Sequence, residues 1–328
     1  FGTIAWRVNL FSAVCGAAAA VMVYGIVYRL TRRVLPALAG ACFLAFSPIF
    51  WILSSTTEVY ALHALFVAAI FYLLLVWRDA GTRRSKILIL VAFVYGLSLS
   101  HHRTMLLLAP AILLFVFLEQ SVSRQHRQEG GRKVEMEKGQ VRRWLVLLLV
   151  FLVGLLPYLH LFIHQLKRGR TMYHVIFRVI LGGDFAEYLG VRSDPLRILW
   201  GLPREQVGTL GLIAAAIGLG WLIWKQRSVA WLLGGSFVAT MLFCLFYRVD
   251  DIQDFMIPAT LCLAIWAGAS AGTLFPGIEE ESDSSSPGSQ GRRRWVKLAL
   301  ESVLLLAALF SLRHFQTVQV ALAETPGS

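Results

Sequence analysis

Ser54-Ser55-Thr56-Thr57-Glu58-Val59-Tyr60-Ala61-Leu62-His63 is a polar interruption between two long apolar runs, Leu35–Leu53 and Ala61–Trp77. Each run is long enough to cross a bilayer as a helix, which takes about 17–25 residues. The stretch is therefore the mouth of a membrane hairpin. It sets a carboxylate, a phenol and an imidazole there. A carboxylate at mid-bilayer costs about 2.5–3.5 kcal/mol on insertion scales, and far less at the surface. Glu58 either ends a helix pair as a solvated charge or faces a polar site at the membrane surface. The rest of the chain bears on that choice.

Hydrophobic residues make up 57% of the 328 residues and charged residues only 15%. Soluble domains carry about 25% charged residues. The apolar runs are continuous and do not alternate, which excludes a transmembrane barrel. The reading is an all-α polytopic membrane protein with about ten transmembrane helices. The ten candidate spans are Val8–Tyr28, Leu35–Leu53, Ala61–Trp77, Ile87–Ser100, Met105–Leu118, Trp144–Phe162, Val207–Trp224, Ala230–Tyr247, Phe255–Leu274 and Trp295–Leu312. They form a single transmembrane domain over 1–328. Polar loops cover 119–143 and 277–294 on the cytoplasmic side, and a long mixed segment covers 163–206 on the other. The chain starts at Phe1, and Phe1–Arg7 reads as the end of a loop, so a chain incomplete at its N-terminus is expected.

If the loop after the first span is cytoplasmic, the cytoplasmic loops hold 20 of the 31 Lys and Arg residues. That is the excess the positive-inside rule requires. Topology thus accounts for the net charge of +12. No basic patch is interleaved with aromatics, so no nucleic-acid partner is expected. Cys15, Cys42, Cys244 and Cys262 lie within apolar runs and read as small core residues. They are neither a disulfide framework nor a metal set.

Under this topology the unusual polar residues converge on the non-cytoplasmic face. Glu58, Tyr60 and His63 open the third span. His101, His102 and Arg103 turn the chain between two short spans. Arg178 and Asp184 lie in the long segment, and Asp250, Asp251 and Asp254 precede the ninth span. An arginine fork and two imidazoles at headgroup depth suit a lipid phosphate; a turn solvated by headgroups suits them equally. Asp250-Asp251-x-x-Asp254 offers oxygen ligands to a divalent cation, but its spacing is no recognised metal loop, and acids on that side follow from topology alone. No cofactor or metal is firmly implied.

Trp6-Arg7-Val8-Asn9-Leu10-Phe11-Ser12-Ala13 resembles the start of the core of a family of polytopic membrane proteins formerly of unknown function. The animal member of that family is a transmembrane protein O-mannosyltransferase. Thr57–Leu62, Gly96–His102 and Val249-Asp250 followed by Phe255–Ala259 are similar in order and spacing. The resemblance implies a C-type glycosyltransferase-like fold. It implies transfer of a sugar, mannose by preference, from a polyprenyl- or dolichyl-phosphate donor to a protein or other acceptor on the non-cytoplasmic face. The family's main base, an acid of the first extracytoplasmic loop, would lie upstream of Phe1. The 328 residues alone are then expected to be inactive, unlike the full-length parent. Arg103 stands where some relatives carry histidine.

The catalytic expectations are Glu58 and Asp250. Tyr60, His101, His102, Arg103, Arg178 and Asp184 are expected to bind the donor phosphate or substrate. Other readings are a transporter or lipid flippase, which would show charges at mid-span and paired broken helices, and a non-catalytic membrane scaffold. The expected location is a bacterial plasma membrane, or the endoplasmic reticulum membrane in a eukaryote.

Overall fold

The computed structural model describes residues 2–81, 84–129, 138–180, 183–270 and 302, with side chains described for all of these except 122–129, 138–140, 178–180 and 184–186. Among them the chain is helical, apart from one isolated antiparallel bridge between Leu189 and Tyr247. The helices are α1 (Ile4–Thr31), α2 (Val34–Ala45), α3 (Pro48–Ser55), α4 (Tyr60–Asp79), α5 (Arg84–His101), α6 (Ala109–Glu129), α7 (Lys138–Gly154), α8 (Leu156–Lys167), the single turn α9 (Met172–His174), α10 (Leu202–Lys225), α11 (Arg227–Phe246) and α12 (Ile257–Ala269).

Six helical segments among the described residues are long and apolar enough to cross a membrane, and two bent pairs bring the total to eight. The expected Ile87–Ser100 span corresponds to helix α5, with Arg84, Lys86 and His101 at its ends, which is not among those eight. The expected Trp295–Leu312 span and the 277–294 loop lie outside the described residues. Ten is thus an approximate count, and the chain is a multi-pass, all-α membrane protein. Helices run into the expected polar segments. Within 119–143, α6 runs on to Glu129 and α7 starts at Lys138. Within 163–206, α8 runs on to Lys167 and α10 starts at Leu202.

Two expected spans are broken. The α2–α3 pair bends by 67°. Pro48 has no N–H to continue a helix and is tolerated only in a first turn. Ser47 and Ile49 would leave donors unmet at the break. Gln206 meets both: its Oε1 accepts from Ser47 Oγ and from the Ile49 N–H, each at 3.1 Å. This buried clasp fixes the direction in which α3 delivers the Glu58 stretch. The α7–α8 pair bends by 54°, with Pro157 in the first turn of α8.

α12 organises the core, since every residue from Ile257 to Ala269 is buried. A helix apolar all round must sit inside the bundle. It packs against α2, α10 and α11, and α1 joins α2 to α4. Small residues allow this closeness. A Cβ at Gly218 of α10 would lie 1.8 Å from the Trp266 carbonyl oxygen of α12. Outside this core, α4 packs on α5 and α5 on α7. A Cβ at Gly96 would meet the Phe151 carbonyl oxygen at 2.2 Å.

Candidate active site

At the N-terminal end of α4 the chain brings four elements together. Residues 56–59 bring Glu58, and α4 brings Tyr60 and His63. The turn between α5 and α6 brings His101–Thr104. The turn before α12 brings Asp251, Asp254 and Phe255. Thr57 donates from its hydroxyl to Asn9 Oδ1 on α1. His101 sits 2.9 Å through Nε2 from the Val59 carbonyl. A carbonyl only accepts, so His101 is the donor and its Nε2 carries the proton. The stretch holding Glu58 is thereby pinned from two sides, while Glu58 itself is exposed.

Behind this rim lies a packed polar layer. The rings of His63 and His102 stack at 4.3 Å. His102 Nδ1 is hydrogen-bonded to Thr104 Oγ1, which lies 3.4 Å from His63 Nε2. Tyr60 packs on His102 at 5.4 Å and on Phe255 at 5.7 Å between centroids. Burial, then the neighbouring His101 and Arg103, pull the His102 imidazole down to about 4. His102 is thus neutral at neutral pH. Arg103 beside it brings a planar guanidinium donor fork.

The acids gather on the other side of Tyr60. Asp254, Asp251 and Glu58 are all close enough for their charges to act on the Tyr60 hydroxyl. None of the three has an ion-pair partner among the described residues. Tyr247 packs on Phe255 at 5.5 Å and feels Asp251 and Arg103 through their charges. The segment after α11 is held by residues 188–192. Arg248 N donates to the Tyr188 carbonyl at 2.8 Å, and the Arg192 guanidinium reaches the Val249 carbonyl at 2.8 Å.

Arg103 faces a second feature. Its Nε donates to Tyr158 Oη at 3.2 Å. Both residues line a groove of about 780 Å³ beside the α7–α8 bend; its other walls are wholly apolar, among them Leu99, Leu106, Leu152, Leu156 and Phe162. Leu106, Leu152 and Leu156 are exposed, so the groove opens outward from the bundle.

Of the residues expected from sequence, Glu58, Tyr60, His101, His102 and Arg103 come together here. Asp250 is exposed at the edge of the turn, and its neighbours Asp251 and Asp254 are the acids that reach Tyr60. The side chains of Arg178 and Asp184 lie outside the described residues. Sequence reasoning did not single out Tyr158, Tyr247 or Thr104; aromatic residues in spans and a threonine in a turn carry no signal of their own. Among the described residues no group of three or more His, Cys, Asp or Glu is arranged to hold a metal ion.

Residues 1–126 match the family model described as "Protein O-mannosyl-transferase TMEM260 N-terminal domain". The chain thus resembles the family inferred from Asn9, Glu58 and the His101-His102 turn, and the match includes Arg103 but stops before Asp250. Over 270 residues, 81% of this chain, it is 28% identical to the Protein O-mannosyl-transferase TMEM260 of Mus musculus, of which it covers 31%. It is 26% identical to the Dictyostelium discoideum protein of that name over 227 residues, 64% of this chain and 24% of that one. The chain therefore spans less than a third of these curated relatives. Its fold is that of ArnT from Cupriavidus metallidurans bound to undecaprenyl phosphate, at a TM-score of 0.60 and 15% identity, covering 97% of this chain and 57% of the other. The same enzyme in its apo state gives 0.53 at 16% identity over 86% and 47%. At such identity the likeness shows the fold alone, and it is the C-type glycosyltransferase-like fold expected.

Proposed function

We propose that the full-length protein is a membrane glycosyltransferase that moves a sugar, mannose by the name of its relatives, from a polyprenyl-phosphate donor to a protein hydroxyl on the non-cytoplasmic face. The observation that carries this reading is Arg103 at the rim of an apolar groove that adjoins a set of unpaired carboxylates. The groove suits an isoprenoid chain, which enters from the bilayer. Arg103 suits the phosphate, as a guanidinium can give a phosphate two parallel hydrogen bonds. Tyr158 holds Arg103 at the groove rim through its hydroxyl.

In the reaction the acceptor oxygen bonds to the anomeric carbon. The bond from that carbon to the phosphate oxygen breaks, and the polyprenyl phosphate leaves with the electron pair. Arg103 meets the charge gained there. The acceptor proton passes to a base, an acid of the first extracytoplasmic loop on the family resemblance. Glu58, with Asp250 and the nearby Asp251 and Asp254, holds sugar hydroxyls or the acceptor. His101 and His102 position the turn, since one is engaged by Val59 and the other is neutral. Arg178 and Asp184 remain proposed substrate contacts from the long loop.

The bent pairs α2–α3 and α7–α8 are the feature that a transporter would share, because broken helices there aim their ends at substrate. Here the first break is filled by the neutral amide of Gln206, and neither break carries a charge. The transferase reading is tested with labelled polyprenyl-phosphate mannose in membranes. Wild-type full-length protein should transfer the label. Glu58→Gln should transfer about tenfold to a hundredfold less, the loss of a charge-assisted hydrogen bond to sugar or acceptor. Unchanged transfer by Glu58→Gln would remove Glu58 from the site.

A further inference from the structure

The far end of α1 holds a second polar cavity. Arg29 lies twenty residues from Asn9, about 30 Å along the helix at 1.5 Å per residue. Between α1 and α4 is a notch of about 440 Å³, lined in part by Tyr24, Gly25, Tyr28, Arg29, Arg32 and Tyr72. Arg29 lies over the Tyr72 ring at 5.2 Å and bonds Asp79 Oδ2 at 3.2 Å. The other Asp79 oxygen takes Arg78 Nε at 3.1 Å. Asp79 is thus shared by two guanidinium groups. Arg32 has no acid partner among the described residues.

Arg32 is also the one non-glycine residue among the described residues with a left-handed backbone, at φ 57°. Its N–H caps α1 on the Tyr28 carbonyl at 2.7 Å. That position usually takes glycine, since a side chain there is strained. Gly25 keeps the floor open: a Cβ there would stand 2.9 Å from Tyr72 Cε2.

The charges do not balance. Arg29, Arg32 and Arg78 against Asp79 leave two positive charges. The C-termini of α1 and α4 each supply about half a negative charge. About one positive charge is left unmet, which the single negative charge of a phosphodiester would balance. Three tyrosines line the same notch, and such rings settle at headgroup depth. Basic pockets between membrane helices bind anionic headgroups.

We propose that this notch binds the phosphate of an anionic phospholipid, at the end of the bundle opposite the candidate active site. Arg32 and Arg29 meet the phosphate, and the tyrosines wall it on the bilayer side. The test is native mass spectrometry of the purified full-length protein with phosphatidylglycerol and, separately, phosphatidylcholine. Arg32→Asn removes the charge, and asparagine accepts a left-handed backbone. It should retain phosphatidylglycerol about tenfold more weakly, the loss of one charge-assisted contact, with phosphatidylcholine unaffected. Gly25→Leu fills the notch and should give the same loss by sterics. Equal phosphatidylglycerol retention by wild type and Arg32→Asn would overturn the site. So would displacement of the lipid by inorganic phosphate alone, which would assign the notch to the free ion.

Discussion

At the end of the bundle where Arg29, Arg78 and Arg84 lie, the acids are paired: Asp79 takes two arginines and Glu119 lies 4.0 Å from Arg84. At the Glu58 end they are not. Glu58, Asp251 and Asp254 crowd one tyrosine with no ion pair among them, and Arg103 turns to Tyr158 instead. Both ends are built on the same pair, α1 and α4, so the helices themselves do not explain the contrast. The matched end holds the fold, apart from the one notch at Arg32. The unmatched end keeps like charges together at a cost in stability, as sites that must meet a substrate do.

The contrast breaks first on activity. In the full-length protein, Glu58→Gln should lower sugar transfer about tenfold to a hundredfold, the loss of a charge-assisted hydrogen bond, measured as labelled product per unit of folded enzyme. Asp79→Asn, at the matched end, should leave transfer within about twofold, since an exposed ion pair is worth little to the fold.

A pH titration comes next. His102 has its pKa lowered to about 4 from an ordinary 6.5. Between those values the unfolded chain binds the proton and the folded chain does not. Stability from this group is therefore fully present above about pH 6.5. It is lost as the pH falls towards 4, by an amount on the order of a few kcal/mol. Thermal unfolding of wild type against His102→Asn, between pH 7 and pH 4, reads it; the variant should lose less.

Smaller effects sharpen the comparison in opposite directions. Asp79→Asn should cost about 1 kcal/mol, because two arginines lose one partner. Asp254→Asn should raise stability by about 0.5 kcal/mol by relieving repulsion from Asp251 and Glu58, and should lower activity at the same time. Chemical unfolding of both variants under one condition checks the two signs.

The architecture was legible because runs such as Ala61–Trp77 are long and continuous, and hydrocarbon leaves few ways to satisfy a backbone there. The polar mouth was legible for the same reason, since Glu58 and His101–Arg103 interrupt such runs. The breaks were not. Pro48 lies inside the run Leu35–Leu53, which reads as one continuous span, and the residue that supports its bend, Gln206, is far away in sequence. The groove was hidden as well. Leu152 and Leu156 look the same whether they face lipid or line a channel, and Tyr158 gains meaning only beside Arg103. Among the three acids before α12 the expectation falls on Asp250, through the resemblance at Val249-Asp250, whereas Asp251 and Asp254 are the ones whose charges act on Tyr60.

The most direct test of the account is the donor dependence of transfer by the full-length protein, with Arg103→Gln beside wild type. If Arg103 binds the donor phosphate, the KM for polyprenyl-phosphate mannose rises at least about tenfold, the weight of a lost charge-assisted contact, while folding and acceptor KM are unchanged. A donor KM and kcat equal to wild type would mean that the groove and its arginine are not the donor site.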